Sequence, residues 1–187
     1  MVLKPVVVRE PPPQQLPITI AVQYPDELRA VRQIELTLPG GFRLRRTALL
    51  GEASVKLFDE MLGLLFAQVR PVPLTESASR DVVAIVEPRV MHATLSTAPH
   101  RGGQIFTATV AYGITLYSVG GERLVSTTAL GVGSVALGPF DAVLTRPAEA
   151  RAIELAMRDA AWNFMRGFRD DPEIRSWLDR AVRVEHR

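Results

Sequence analysis

Residues 104–136 read QIFTATVAYGITLYSVGGERLVSTTALGVGSVA, and the spacing of their apolar side chains decides the fold. From 104 to 117, Phe106, Ala108, Val110, Tyr112, Ile114 and Leu116 fall on one side, with Thr107, Thr109 and Thr115 on the other. Successive side chains of a strand point to opposite faces, so this is a long strand with one buried face. Gly120-Gly121 supplies a tight turn and Leu124 to Ala136 forms the returning strand. The segments 104–117 and 122–136 are therefore expected to form one long antiparallel hairpin. Such a hairpin must cover its apolar face with a second layer.

The period changes where that layer should come from. From Ser54, the residues Val55, Phe58, Met61, Leu62, Leu65, Phe66 and Val69 recur at three- and four-residue steps, while Lys56, Asp59, Glu60 and Gln68 fall elsewhere. That is an amphipathic helix, expected to close before Pro71. A second helix is expected after Thr145, whose side chain can cap the first turn while Pro147 sits where no donor is needed. Its stripe is Ile153, Met157, Ala160, Ala161, Phe164 and Phe168. Asp171-Pro172-Glu173 opens a short third helix with Ile174, Trp177, Leu178 and Ala181 as its buried side. Phe58, Leu62, Leu65, Ile153, Met157 and Phe164 are expected to pack on the hairpin.

Three further strand regions complete the sheet. Ile18, Ile20 and Val22 alternate with Thr19, Ala21 and Gln23 until Tyr24-Pro25-Asp26 breaks the run. Ile34, Leu36 and Leu38 lead into Pro39-Gly40-Gly41, and Phe42 to Thr47 pairs back. After a polar loop at 76–80, Val82 to Val86 begins a strand that continues beyond Pro88 to Leu95, the proline marking an edge or a bulge. The fold class is α+β: a twisted, mainly antiparallel sheet with a long hairpin, packed on one face by two long amphipathic helices plus a short C-terminal helix. The organisation is a Pro-rich tether over 1–17, a single domain over 18–182 and a tail over 183–187. Residues 9–17 hold four of the 14 prolines, which favours an extended tether.

Composition excludes several functions. At 187 residues, with 47% apolar and 22% charged side chains, the chain fits one domain with a sizeable core. No apolar run approaches the roughly 18–20 residues of a membrane helix. The formal charge is only +2 and acidic residues interrupt the basic ones, which argues against nucleic-acid binding. The densest basic cluster, Arg43, Arg45 and Arg46 in F-R-L-R-R, reads as a solvated strand edge. The absence of cysteine removes disulfides, thiolate metal sites and cysteine nucleophiles. Val6 to Val8 is too short an apolar stretch for the core of a signal peptide.

No catalytic constellation is visible, and no catalytic, cofactor-binding or metal residue is assigned. His92, His100 and His186 have no partner at ligand spacing, so structural or surface roles are expected. Gly131-Val132-Gly133-Ser134-Val135-Ala136 matches a dinucleotide fingerprint formally, but no helix follows Gly138-Pro139, and the favoured reading is strand glycines at a twist or bulge. Ser134 lacks the elbow that a serine nucleophile needs. Asp59 with Glu60, and Asp170 with Asp171, are adjacent and point apart, as solvated faces and caps do. Trp162, Trp177 and Phe168 are read as core before they are read as an exposed aromatic patch.

The element order, together with G-E-A-S-V-K-L-F at 51–58 and A-M-R-D-A-A-W-N-F at 156–164, resembles small bacterial envelope lipoprotein domains. In particular it is similar to the group related to the TolB amino-terminal domain and the ABC-type transport auxiliary lipoproteins, over about residues 16–168. The resemblance implies a non-catalytic accessory that serves assembly or transport through protein partners in the envelope, with homo-oligomers left open. It also implies a lipidated anchor upstream, and residues 5–17 would match the tether. No lipobox cysteine or signal peptide stands in the sequence. The expected location is thus periplasmic and outer-membrane-anchored if those were removed, and cytoplasmic otherwise. Two other readings stay open on the residues: a small-ligand or lipid-binding module using the groove between helices and sheet, and a hydrolase whose groups meet only in space.

Overall fold

The computed structural model describes residue 3 and residues 14–30, 32–48, 50–72, 81–138, 141 and 145–185. The elements in chain order are β1 (Leu16–Val22), α1 (Asp26–Arg29), β2 (Arg32–Thr37), a 3-10 turn (Pro39–Gly41), β3 (Arg43–Ala48), α2 (Leu50–Leu65) and β4 (Phe66–Pro71). They continue with β5 (Ala84–His100), β6 (Gly103–Tyr117), β7 (Arg123–Leu137), α3 (Thr145–Gly167) and α4 (Pro172–Glu185). The class is α+β, a curled sheet packed with helices.

The expected hairpin is the spine of the sheet. β6 and β7 pair antiparallel from Gln104↔Leu137 to Tyr117↔Arg123, and Gly121, at φ +84°, closes the turn in a conformation that glycine adopts without strain. β5 lies antiparallel along the other side of β6. Its far side is shared by two parallel neighbours, β1 at Ala84–Val86 and β2 at Thr94–Ser96. The sheet therefore forks, with β4 beyond β1 and β3 beyond β2. Pro88 sits in the gap between those neighbours, where its missing N–H deprives neither of a partner. The register runs unbroken through Pro88 and shifts only between Val90 and His92, so the proline marks neither an edge nor the bulge, which lies three residues further on in a central strand.

The helices cover the face that carries Phe106, Val110, Tyr112 and Ile114, all buried. Phe58 of α2 meets Tyr112 edge-on, with ring centroids 5.1 Å apart, and Ser54 Oγ lies 3.0 Å from the Tyr112 hydroxyl. Burying a phenol requires such a partner. Phe66 and Phe164 each pack edge-on against Phe168, and Trp177 belongs to the same core while Trp162 is half-buried. All six residues expected to pack on the sheet are buried.

Four boundaries differ from the sequence reading. The first long helix spans 50–65, and Phe66–Pro71 is strand β4, paired parallel with β1 from Leu16↔Phe66 to Val22↔Pro71. Phe66 and Val69 fit a helical stripe and a strand equally well, and the open hydrogen-bonding edge of β1 decides between them. The sheet begins at Leu16, two residues into the expected tether, and α4 continues through Glu185 into the expected tail. Gln15 Nε2 donates to the Gly63 carbonyl at 2.7 Å, Arg169 donates to the Gln14 carbonyl and Leu3 is buried; the other residues of the tether lie outside the described residues, as does the polar loop at 76–80.

Candidate functional site: an open sheet edge and a cationic cavity beside it

Three strands, β3, β4 and β7, end the forked sheet, and β3 and β7 are treated differently. Among the described residues β7 pairs only with β6, and α3 covers its other side. Asp159 Oδ2 accepts from the Val132 N–H at 2.9 Å, and Asn163 Nδ2 donates to the Leu130 carbonyl at 3.0 Å. Two side chains one helical turn apart thus satisfy a donor and an acceptor that an edge strand would otherwise expose. The close approach depends on glycine: a Cβ on Gly131 would lie 2.1 Å from the Ala156 carbonyl oxygen, and one on Gly133 would lie 2.2 Å from that of Ala152. These glycines serve helix-on-sheet packing and not a twist or bulge, and at positions 131 and 133 they bring the α3 backbone against β7.

β3 lies at the other limit of the forked sheet, paired with β2 from Arg32↔Ala48 to Thr37↔Arg43. Gly40 and Gly41, both at φ +82°, form the tight connection, and the Leu38 N–H donates to the Phe42 carbonyl at 2.7 Å. Along β3 only Ala48 is buried. Phe42 is 72% exposed and Leu44 42% exposed, two large apolar side chains in open solvent. Arg43 pairs across the strand with Glu35 at 3.2 Å and remains well exposed, as does Arg45. The F-R-L-R-R run is therefore an edge, as expected, except that Arg46 is half-buried and turns toward Glu149 of α3, Nε to Oε2 3.7 Å. A cavity of about 320 Å³ opens there, lined by Arg45, Arg46, Thr47, Arg146 and Glu149.

The residues weighed for chemistry do not converge. His92 and His100 are exposed at separate places on β5, and His186 lies outside the described residues. Among the described residues no three His, Asp or Glu side chains are grouped as metal ligands would be. Ser134 Oγ is 3.1 Å from Thr107 Oγ1 across the exposed sheet face. Asp59 accepts from the Tyr24 hydroxyl at 2.6 Å, and burial, then that carboxylate, pushes the phenol pKa far above its usual value. Burial also raises the carboxyl of neighbouring Glu60. Asp171 caps α4, accepting from the Glu173 N–H at 2.9 Å.

The sequence reading missed Asp159, Asn163 and Glu149 as functional positions. The available signal was weak: a D-x-x-x-N pair on the flank of α3, and an acidic residue on its apolar side just past the first turn. Phe42 and Leu44 were the stronger clue, being apolar residues inside a run read as solvated.

No family model matches the sequence, and no curated protein matches it. Among solved structures, a Xanthomonas campestris protein of family DUF330 has a TM-score of 0.53 at 15% identity, over 91% of this chain and 98% of that one. A protein described as a neuraminyllactose-binding hemagglutinin homologue from Helicobacter pylori has a TM-score of 0.52 at 6% identity, over 97% and 100% of the two chains. A minor lipoprotein from Acinetobacter baumannii reaches only 0.45 at 11% identity, over 82% and 91%. The chain thus shares its fold with the Xanthomonas and Helicobacter proteins. The fold does not single out the TolB-related group.

Proposed function

We propose that the chain is a non-catalytic accessory domain of the bacterial cell envelope, acting in assembly or transport through protein contacts, and that β3 is where a partner docks. The observation that carries this reading is the contrast between the β7 and β3 edges, β4 being a third outer strand. On β7 the Val132 N–H and the Leu130 carbonyl are met by Asp159 and Asn163, so that helix α3 lies along that edge even though Leu130 and Val132 are half-exposed, whereas the β3 edge presents Phe42 and Leu44 beside exposed Arg43 and Arg45. An extended segment can add to such an edge, gaining main-chain hydrogen bonds and seating alternate side chains.

The occupant is an extended, acidic and apolar segment of a partner protein. Arg43 and Arg45 flank Leu44 and would attract acidic side chains, while Phe42 and Leu44 offer contact for apolar ones. A second copy of this chain fits less well, because pairing β3 with β3 brings like arginine rows together. A tether leading to an upstream membrane anchor would hold the domain near such partners, and the resemblance to lipoprotein domains supports that placement.

Fractionation of the full-length native product, compared with its Leu44→Glu variant, tests the reading. The wild type is expected with the envelope and cross-linked to protein neighbours there; the variant should fractionate identically and lose the cross-links. A wild-type product found solely in the cytoplasm, or cross-links that survive Leu44→Glu unchanged, would overturn it.

A further inference from the structure

The cavity between β3 and the first turn of α3 contains an unmet pair. Glu149 is 3% exposed, yet its Oε1 has no hydrogen-bond partner, and neither has the buried Nε of Arg46. Their separation of 3.7 Å, Nε to Oε2, is too long for a hydrogen bond. Buried polar atoms are normally paired, and each exception calls for a cause. Here one acceptor and one donor stand side by side in a space of about 320 Å³, which Arg45, Thr47 and Arg146 also line. A water molecule would satisfy the pair but would leave three arginines around one carboxylate. The N-terminal turn of α3 adds a further preference for an anion.

A ligand that answers this arrangement must offer acceptors to arginine and one donor to a carboxylate. Sulfate and phosphodiesters are acceptors only at neutral pH, so they set lone pairs against Glu149 Oε1. A phosphomonoester has a second pKa near ~6, and its monohydrogen form keeps one P–OH. That hydroxyl donates to Glu149 Oε1 while the other oxygens accept from Arg46 Nε and neighbouring guanidinium groups. We propose that this cavity binds a phosphomonoester group, with Glu149 selecting for its P–OH. Inorganic phosphate, a soluble monoester and a lipid ending in a monoester share that chemistry. Of the residues invoked for docking on β3, only Arg45 also lines this cavity, and the variants below leave Phe42 and Leu44 untouched.

The test is calorimetric titration of the full chain with inorganic phosphate and with sulfate, beside flotation with phosphatidylcholine vesicles containing either phosphatidic acid, a monoester, or phosphatidylglycerol, a diester. Wild type should bind phosphate at least about tenfold more tightly than sulfate, because a site built to receive a donor rejects ligands lacking one. Glu149→Gln, which can donate as well as accept, should bring the two within about threefold of each other while melting like wild type. Arg46→Ala should weaken phosphate binding at least about tenfold. Phosphate binding with no vesicle selectivity assigns a soluble source; selective flotation with phosphatidic acid alone assigns a lipid source, and both support the proposal. It is overturned if neither probe binds, if phosphate and sulfate bind equally, or if Glu149→Gln leaves the selectivity intact.

Discussion

Replacing Gly131 by alanine adds one methyl group where α3 and β7 meet backbone to backbone. The new Cβ would lie 2.1 Å from the Ala156 carbonyl oxygen and 2.2 Å from the Ala160 nitrogen. Neither atom belongs to a flexible side chain, so relief requires the helix to retreat by roughly 1.3 Å to ordinary van der Waals contact. Overpacking of this kind costs typically about 1–3 kcal/mol. The retreat also stretches the bonds from Asp159 and Asn163 to the β7 edge, each worth about 1 kcal/mol. The expected loss is therefore about 3–5 kcal/mol, a large share of the ~5–15 kcal/mol that holds a domain folded. Gly113→Ala is the matched control: it lies in the neighbouring strand, and its Cβ would meet Met91 Sδ at 3.0 Å, the far end of a side chain that is 64% exposed. It should cost less than ~1 kcal/mol, since the thioether can swing away. Urea melts of both variants with unchanged slope make the comparison. If Gly131→Ala also costs less than ~1 kcal/mol, helix and strand are not in contact there and the bulge reading returns.

Phe58→Ala removes a ring that is 1% exposed and packed edge-on against Tyr112; it should cost on the order of 3–5 kcal/mol in denaturant melts, and a loss below ~1 kcal/mol would move Phe58 to the surface. Burial raises the phenol pKa of both Tyr24 and Tyr112. The folded chain therefore keeps protons that the unfolded chain releases above the usual tyrosine value of ~10, so stability present below that pH falls as pH rises past it. Tyrosine absorbance should show two of the three phenols ionising only with loss of near-ultraviolet circular dichroism; their ionisation in the native state would contradict the burial. Replacing the exposed His92 or His100 by alanine should leave function intact in complementation, and a null phenotype with normal folding would reopen an enzymatic or metal-dependent reading.

The long hairpin was legible because its alternation is unbroken: a one-residue slip would have exposed Phe106, Val110 and Tyr112 together. The stripes of α2 and α3 were legible for the same reason in a different period. The end of α2 was not, because no glycine or proline separates Leu65 from Phe66 and only the distant edge of β1 turns that segment into strand. Nor was the use of Gly131 and Gly133, since a glycine excluded by a helix backbone looks in sequence like a glycine at a bulge. Arg46 and Glu149 lie on a strand and a helix about a hundred residues apart, and nothing local announces a cavity that only packing creates. The charge of the β3 edge could be read from F-R-L-R-R, whereas its vacancy depends on where the other strands go.

Site-specific photo-cross-linking in the native cells, with the reactive residue placed at position 44 of the full-length protein and at position 122 in the opposite hairpin turn, shows whether β3 is where a partner docks. An adduct is expected at 44 and absent at 122, its partner an envelope protein and its cross-linked peptide an extended, acidic and apolar segment. Adducts of equal yield from both positions, or from 44 only to a second copy of the same chain, would contradict it.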